Sequence, residues 1–183
     1  MGNSNHIISA LKPEETIRTQ DIIFRSVTTA DIPELKELFC NTVLTVNARD
    51  YTTEEVADWA SCGNRPGHWE KLLATLHFIA ACNGQGRIIG FTSIRNDGYL
   101  HSMFIHKDYQ RQGIASALLQ RIEAYAAEHG ICEITSEVSI TARPFFEKQG
   151  YIVELEQRAQ ANRLQLINYK MRKQMKDGNT ETE

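Results

Sequence analysis

Tyr99-Leu100-His101-Ser102-Met103-Phe104-Ile105 is followed, five residues on, by Gln110-Arg111-Gln112-Gly113-Ile114-Ala115 and then by a striped segment that runs to Gly130. The first run reads as a short strand. The last reads as a helix from about Gln112 to His129, because Ile114, Leu118, Ile122 and Tyr125 recur at three- and four-residue steps while Ser116, Gln120, Glu123 and Glu128 face the other way. A strand therefore runs into a turn, and a helix starts on a glycine. The first backbone N–H groups of a helix have no intrahelical partner, and the helix dipole adds about half a positive charge there. Gly113 has no Cβ, so a ligand can approach the backbone closely. That is the physics of a phosphate cradle. A glycine at such a junction is equally compatible with plain packing. Neither G-x-G-x-x-G nor G-x-x-x-x-G-K-[ST] is present, which argues against dinucleotide-fold and P-loop cradles.

Outward from this hinge, residues 1 to 20 are polar with an apolar patch at Ile7, Ile8 and Leu11, as expected of a tail or a surface arm. Asp21 to Val27 reads as a strand. A helix is expected from Asp31, with Pro33 in its first turn, Glu34 completing a capping box, and Ile32, Leu35, Phe39 and Val43 as its buried stripe. A second helix follows Thr52, again boxed by Glu55, with Val56, Trp59 and Ala60 inward. A loop from Cys62 to Gly67 leads to a short helix marked by Trp69, Leu72 and Leu73; His68 beside it is either a substrate contact or a solvated loop residue. Strands are expected at Leu76–Cys82, Arg87–Ile94 and Tyr99–Ile105, joined by turns at Asn83–Gly86 and Asn96-Asp97-Gly98. Ile131–Val138 follows a helical crossover and should run parallel to the preceding strand. A helix from about Thr141 to Gln149 ends at Gly150, and a hairpin of Tyr151–Gln157 and Leu164–Met171 closes the chain. The order β-α-α-β-β-β-α-β-α-β-β predicts an α/β fold, one mixed sheet with helices on both faces, over residues 21–173 with a polar tail at 174–183.

The 183 residues are 42% hydrophobic and 23% charged, with a net charge of −3, enough for one sizeable core and without a global attraction to nucleic acid or anionic membrane. Lys170, Arg172, Lys173 and Lys176 read as the solvated end of the last strand. Cys40, Cys62, Cys82 and Cys132 form no C-x-x-C pair, so neither a metal site nor a disulfide framework is expected; they read as mostly buried thiols of a cytoplasmic protein. No signal peptide is expected from the opening residues, and no apolar run is long enough to span a bilayer as a helix.

Gln110-x-x-Gly113-x-Ala115 resembles the Q/R-x-x-G-x-G/A motif of the GCN5-related N-acetyltransferase (GNAT) superfamily. Ser139-x-x-Ala142-Arg-Pro-Phe-Phe-Glu-Lys-Gln-Gly150-Tyr151 is similar to that family's N-x-x-A-x-x-F-Y-x-x-x-G-F segment, and the element order matches over nearly the whole chain. The Ala-Arg-Pro-Phe-Phe-Glu wording and the Ala57-Asp58-Trp59-Ala60 helix look most like the YafP-type bacterial branch. The resemblance implies a GNAT-like fold in which acetyl-CoA lies between strands that splay apart. Backbone groups around Met103, Phe104 and Ile105 would pair with the pantetheine arm, and one amide would polarise the thioester. Gln110, Arg111, Gln112, Gly113, Ile114 and Ala115 would hold the pyrophosphate, with Ser139, Phe145 and Phe146 lining the thioester end.

The family often carries a tyrosine acid in the second segment, where this chain has Phe146, and an asparagine where it has Ser139; no acid role transfers. The acceptor would be an amine that must lose a proton before attack. Glu137 and His101 are the candidate bases. The alternatives are an outward strand carboxylate and a pocket-lining imidazole, while Tyr99 and Tyr169 are packed aromatics or hydroxyls near the thiolate. The leading reading is a cytoplasmic N-acetyltransferase acting by direct attack on a small-molecule amine, with no metal, no nucleic acid and no membrane partner. The runner-up is an acyl-CoA-binding domain without turnover. Acceptor contacts would come from about Val46 to Trp69 and the final hairpin, and exposed edge strands leave room for a homodimer.

Overall fold

The computed structural model describes residues 22–175, so the expected N-terminal arm, Asp21 and residues 176–183 of the expected polar tail lie outside the described residues, while Gln174, expected to begin that tail, ends the last strand. In chain order the elements are β1 (Ile23–Ser26), α1 (Ile32–Thr45), α2 (Thr53–Ser61), α3 (His68–Thr75), β2 (His77–Cys82), β3 (Ile88–Ile94), β4 (Tyr99–Ile105), α4 (Ile114–Glu128), β5 (Glu133–Ser139), α5 (Arg143–Lys148), β6 (Ile152–Gln160) and β7 (Gln165–Gln174). The short helix expected at Trp69, Leu72 and Leu73 is α3, a third helix before β2 that the expected element order left out. Seven strands form one sheet in the order β1-β2-β3-β4-β5-β7-β6. Helices α1 to α3 cover one face around Leu35, Phe39, Val43, Val56, Trp69 and Phe91. On the other face α4 packs Leu118, Leu119 and Ile122 against the sheet, and α5 adds Phe146.

Local chemistry explains most element ends. Thr52 and Glu55 form the expected box, with Glu55 N donating to Thr52 Oγ1 and Thr52 N to Glu55 Oε2. The start of α1 differs. Asp31 reaches back to Thr28 N and is gripped by both terminal nitrogens of Arg25 at 2.8 Å, which holds its carboxyl below the usual range. Glu34 is released from capping and accepts from Ile88 N at 2.8 Å, tying α1 to β3. At the Asn96-Asp97-Gly98 turn, Gly98 has φ +90°, and a Cβ there would collide with Glu133 O. The final hairpin is longer than its apolar pattern indicated, because Arg158 to Gln160 continue the β6 ladder opposite Gln165 to Ile167. The basic cluster of β7 is paired rather than merely solvated: Arg172 bridges Glu133 and Glu154, and Lys173 meets Glu123 at 2.7 Å. Of the four free cysteines only Cys82 is buried, and Cys132 is exposed.

One irregularity shapes the centre of the sheet. The β3–β4 register steps from Ile94↔Leu100 to Ser93↔Ser102, leaving His101 as an extra residue. A bulge of this kind bends its strand and increases its twist. β4 and β5 run parallel, as the helical crossover requires, but they share only the pairs Tyr99↔Thr135 and Leu100↔Ser136. From the bulge onward no ladder joins them, while β5 pairs with β7 along its whole length. The sheet therefore contains a gap between the C-terminal ends of β4 and β5.

Candidate active site

The cradle stands at the end of β4. Arg111 and Gly113 both have positive φ, +59° and +81°, and Gly113 is the N-cap of α4. Alternating backbone signs of this kind turn successive N–H groups toward one concavity. The first α4 hydrogen bond after the cap runs from Ala117 N to Gly113 O, so the amides ahead of it make no intrahelical bond. Arg111 is the only non-glycine residue with positive φ among the described residues, a strain of about 1–2 kcal/mol that marks a turn held for a purpose. The side chains around it play other parts. Gln110 Nε2 donates to Ile105 O at 2.7 Å, Gln112 Nε2 donates to Asp108 O at 3.2 Å, and Ile114 is core. The residues present fit a phosphate through backbone amides, with the exposed Arg111 guanidinium beside them.

The strand edge facing the gap can be read from one bond. His106 N donates to Ile89 O, and backbone groups alternate sides along a strand, so Phe104 belongs to the β3 ladder while Met103 and Ile105 turn toward the gap. Ile105 O is already capped by Gln110 Nε2 and Thr42 Oγ1. Met103 is thus the strand residue whose N–H and C=O face the gap without a protein partner in the β4 ladder. Phe104 contributes packing instead, its ring edge-on to Phe39 at 5.0 Å and to Trp59 at 6.2 Å.

The same alternation distributes side chains. Leu100, Met103 and Ile105 pack on the α4 face and Phe104 on the α1 face. Two residues of the bulge, His101 and Ser102, lie together on the α1 face, where His101 Nδ1 and Ser102 Oγ are 2.7 Å apart. Glu137 alternates with the buried Ile134, Ser136 and Val138, so it too faces the α1 side, across the gap from Tyr99 and His101. Loss of hydration lowers the His101 pKa below its ordinary 6.5; the positive fields of His68 and Arg95 act in the same direction and Glu137 opposes them. Burial, with help from Glu137, pushes Tyr99 up to about 12. The structure brings Glu137 and His101 within electrostatic reach of each other at the gap. His68, placed in a loop by the sequence, is the first residue of α3 and lies edge-on to Trp69.

The second motif lies on the opposite face. Phe146 is 3% exposed, with its ring edge-on to Tyr151 at 5.0 Å, and Phe145 packs beside it. Tyr169 lies under the Arg143 guanidinium at 4.5 Å. Ser139 Oγ accepts from Ala142 N and, at 3.5 Å, from Asn47 Nδ2, so it closes the turn into α5.

A wall on the α1 side has no sequence signal. Asp58, in α2 and 1% exposed at its side chain, accepts the backbone amides of Asn162, Arg163 and Leu164 at 2.8–2.9 Å. These bonds, led by that from Leu164, lower its pKa to about 2. Tyr51 adds a second tie, donating to Ile167 O at 2.7 Å and accepting from Ile140 N at 2.9 Å. The hairpin tip is thereby fastened over α2, on the same side of the sheet as His101 and Glu137.

A mixed sheet opened between two parallel strands, with unbonded amides where the leading strand enters a helix, has the shape to receive an extended, phosphate-bearing ligand. The chain belongs to the GNAT acetyltransferase family, whose domain matches residues 47–173, and its reaction class is acyl transfer from acetyl-CoA. The uncharacterised N-acetyltransferase YafP of Escherichia coli strain K12 is 30% identical over 153 residues, 83% of this chain and 95% of that protein. A GCN5-related N-acetyltransferase from Rhodopseudomonas palustris has a TM-score of 0.80 at 24% identity, covering 83% of this chain and 94% of that one. PaiA N-acetyltransferase from Thermoplasma acidophilum, solved in complex with coenzyme A, has a TM-score of 0.69 at 20% identity, covering 84% and 98%. Among the described residues no helix is long and apolar enough to cross a membrane, and no cluster of three or more His, Cys, Asp or Glu could hold a metal.

Proposed function

We propose that the chain acetylates a primary amine of a small molecule by direct attack on acetyl-CoA within a ternary complex. The observation that carries this is the continuity of the gap: it opens at the His101 bulge, passes the free backbone edge of Met103 and ends on the Arg111–Ala115 amides. Acetyl-CoA supplies the acyl electrophile and a thiolate leaving group. The Met103 N–H is placed to donate to an acyl oxygen as negative charge builds on it. His101, neutral near pH 7 because its pKa lies below 6.5, takes the proton of the attacking amine, directly or through water. Glu137 favours the imidazolium that results. Phe146 keeps the α5 side of the gap apolar and supplies no proton. The acceptor enters from the α1 side, between α2, α3 and the hairpin tip.

Calorimetric titration with acetyl-CoA, against dephospho-CoA and NAD, tests the reading. Stoichiometric binding of acetyl-CoA is expected, and Gly113→Asp should abolish it by placing bulk and negative charge at the phosphates. Normal binding by that variant would remove the cradle assignment.

A further inference from the structure

Neighbouring residues in a strand point to opposite faces, so their side chains do not normally meet. His101 and Ser102 do meet, at 2.7 Å, because the bulge leaves both on the α1 face. This arrangement is braced from two sides. Thr92 Oγ1 donates to Ser102 O at 2.9 Å, and Ser136 Oγ donates to Leu100 O at 2.8 Å, both bonds buried. Ser102 itself is 7% exposed, and its hydroxyl has His101 Nδ1 as its hydrogen-bond partner. Thr92 and Ser136 thus fix the backbone on either flank of the bulge, and Ser102 fixes the imidazole that the bulge presents.

A histidine acts as a base only through the nitrogen that carries no proton, and which nitrogen that is depends on the bond made by the other. We propose that Ser102 is a positioning residue whose Oγ accepts from His101 Nδ1–H, leaving the Nε2 lone pair aimed into the gap as the basic site. The proposal rests on the reading of His101 as the base, and it adds the reason for the bulge: a local defect that places an orienting hydroxyl beside the base on the same strand. The bond is retained when His101 becomes imidazolium, where it is charge-assisted and stronger. The other charged or titratable groups facing His101 are Tyr99 on its own strand (ring centroids 6.1 Å apart), Arg95 in the preceding turn, Glu137 on β5 and His68 on α3. They set the field at the ring, and Ser102 sets its tautomer.

The test is long-range proton–nitrogen NMR of the full chain with nitrogen-15 histidine at pH 8.5, the His101 signals being identified by their loss in His101→Ala. The wild type should show His101 protonated at Nδ1. Ser102→Ala should move the population toward the Nε2–H form that unconstrained histidine favours, and Ser102→Thr, which restores a hydroxyl, should return it. Ser102→Cys keeps the side-chain volume without a strong acceptor and should behave as Ser102→Ala, so the test survives a folding failure of the alanine variant. A wild-type ring protonated at Nε2, or a tautomer unchanged in both hydroxyl-free variants, overturns the proposal. The outcome is independent of whether His101 is the base, which the pH–rate profile of His101→Ala decides separately.

Discussion

His101 and Glu137 are separated by chemistry as much as by position. A base must be neutral before it works, so activity limited by His101 rises with pH through the imidazole pKa, which lies below 6.5 in the fold. His101→Ala should remove that acid limb and lower kcat/KM by about 10²-fold or more, the usual contribution of a positioned base. Glu137 raises the His101 pKa, so Glu137→Gln should keep the limb and move it to lower pH. A profile of kcat/KM for both variants separates the roles: a limb lost with Glu137 and kept without His101 exchanges them. The candidates themselves were legible in the sequence, since Glu137 and His101 are polar residues on strands beside the motif. Their partners were not. Nothing in Tyr99-Leu-His-Ser-Met announces the bulge that puts Ser102 beside His101, and the amides that bind Asp58 come from 104 to 106 positions away. The family resemblance implied that Phe104 and Gln110 lie at the cofactor. Strand parity assigns the Phe104 backbone to β3, and the Gln110 side chain is bound to Ile105 O. Contacts of that kind depend on tertiary register, which local pattern does not encode.

At the level of elements, turns and latches decide whether the gap keeps its shape. Gly98 ends the turn that launches β4, and its carbonyl accepts from Thr135 N at 3.0 Å where β4 meets β5. Gly98→Ala combines a positive φ with a Cβ driven into Glu133 O, so the backbone must shift at the one place where the two strands are joined. A loss of about 2–4 kcal/mol in chemical denaturation is expected, with weaker acetyl-CoA binding in the surviving fold. Asp58 gives a pH signature. Its folded pKa is lowered from 3.8 to about 2, so its stabilisation is complete above about pH 4 and disappears as the pH falls through 2. Asp58→Asn should therefore lower Tm at pH 7, and the difference from wild type should shrink between pH 4 and 2; a difference that persists in acid would locate the effect in packing rather than charge. The helices and turns were the readable part of this level. Thr52–Glu55, Asn96-Asp97-Gly98 and the glycine starting α4 are short-range signals whose partners lie within four residues. α1 misled because Pro33 and Glu34 imitate a cap that Thr28 and Asp31 supply one turn earlier.

Across the whole molecule the gap has a mechanical consequence. β1 to β4 form one antiparallel block and β5, β7 and β6 another, and the two are joined within the sheet by the pairs at Tyr99 and Leu100. Beyond the ladder they are tied by side-chain contacts, among them α4 packed under the seam, the Ser136–Leu100 bond, the Asp58 latch, the Tyr51 strut and the bond from Thr141 Oγ1 to Asp50. Backbone amides at Met103 and in the Arg111–Ala115 turn are consequently open to exchange, whereas those of β3, buried at every position, are closed. A ligand that lies along β4 and ends on the α4 amides fills the missing ladder and couples the blocks. Acetyl-CoA at about 100 times its Kd should stabilise the fold by about 2.7 kcal/mol, since it binds only the native state. Hydrogen exchange should slow at Met103 and at residues 111–115 first, and then across β5, which receives no ligand phosphate but loses its freedom to part from β4. Protection confined to residues 111–115, with β5 unchanged, would mean that the ligand is held by its phosphates alone and that the gap is not its path.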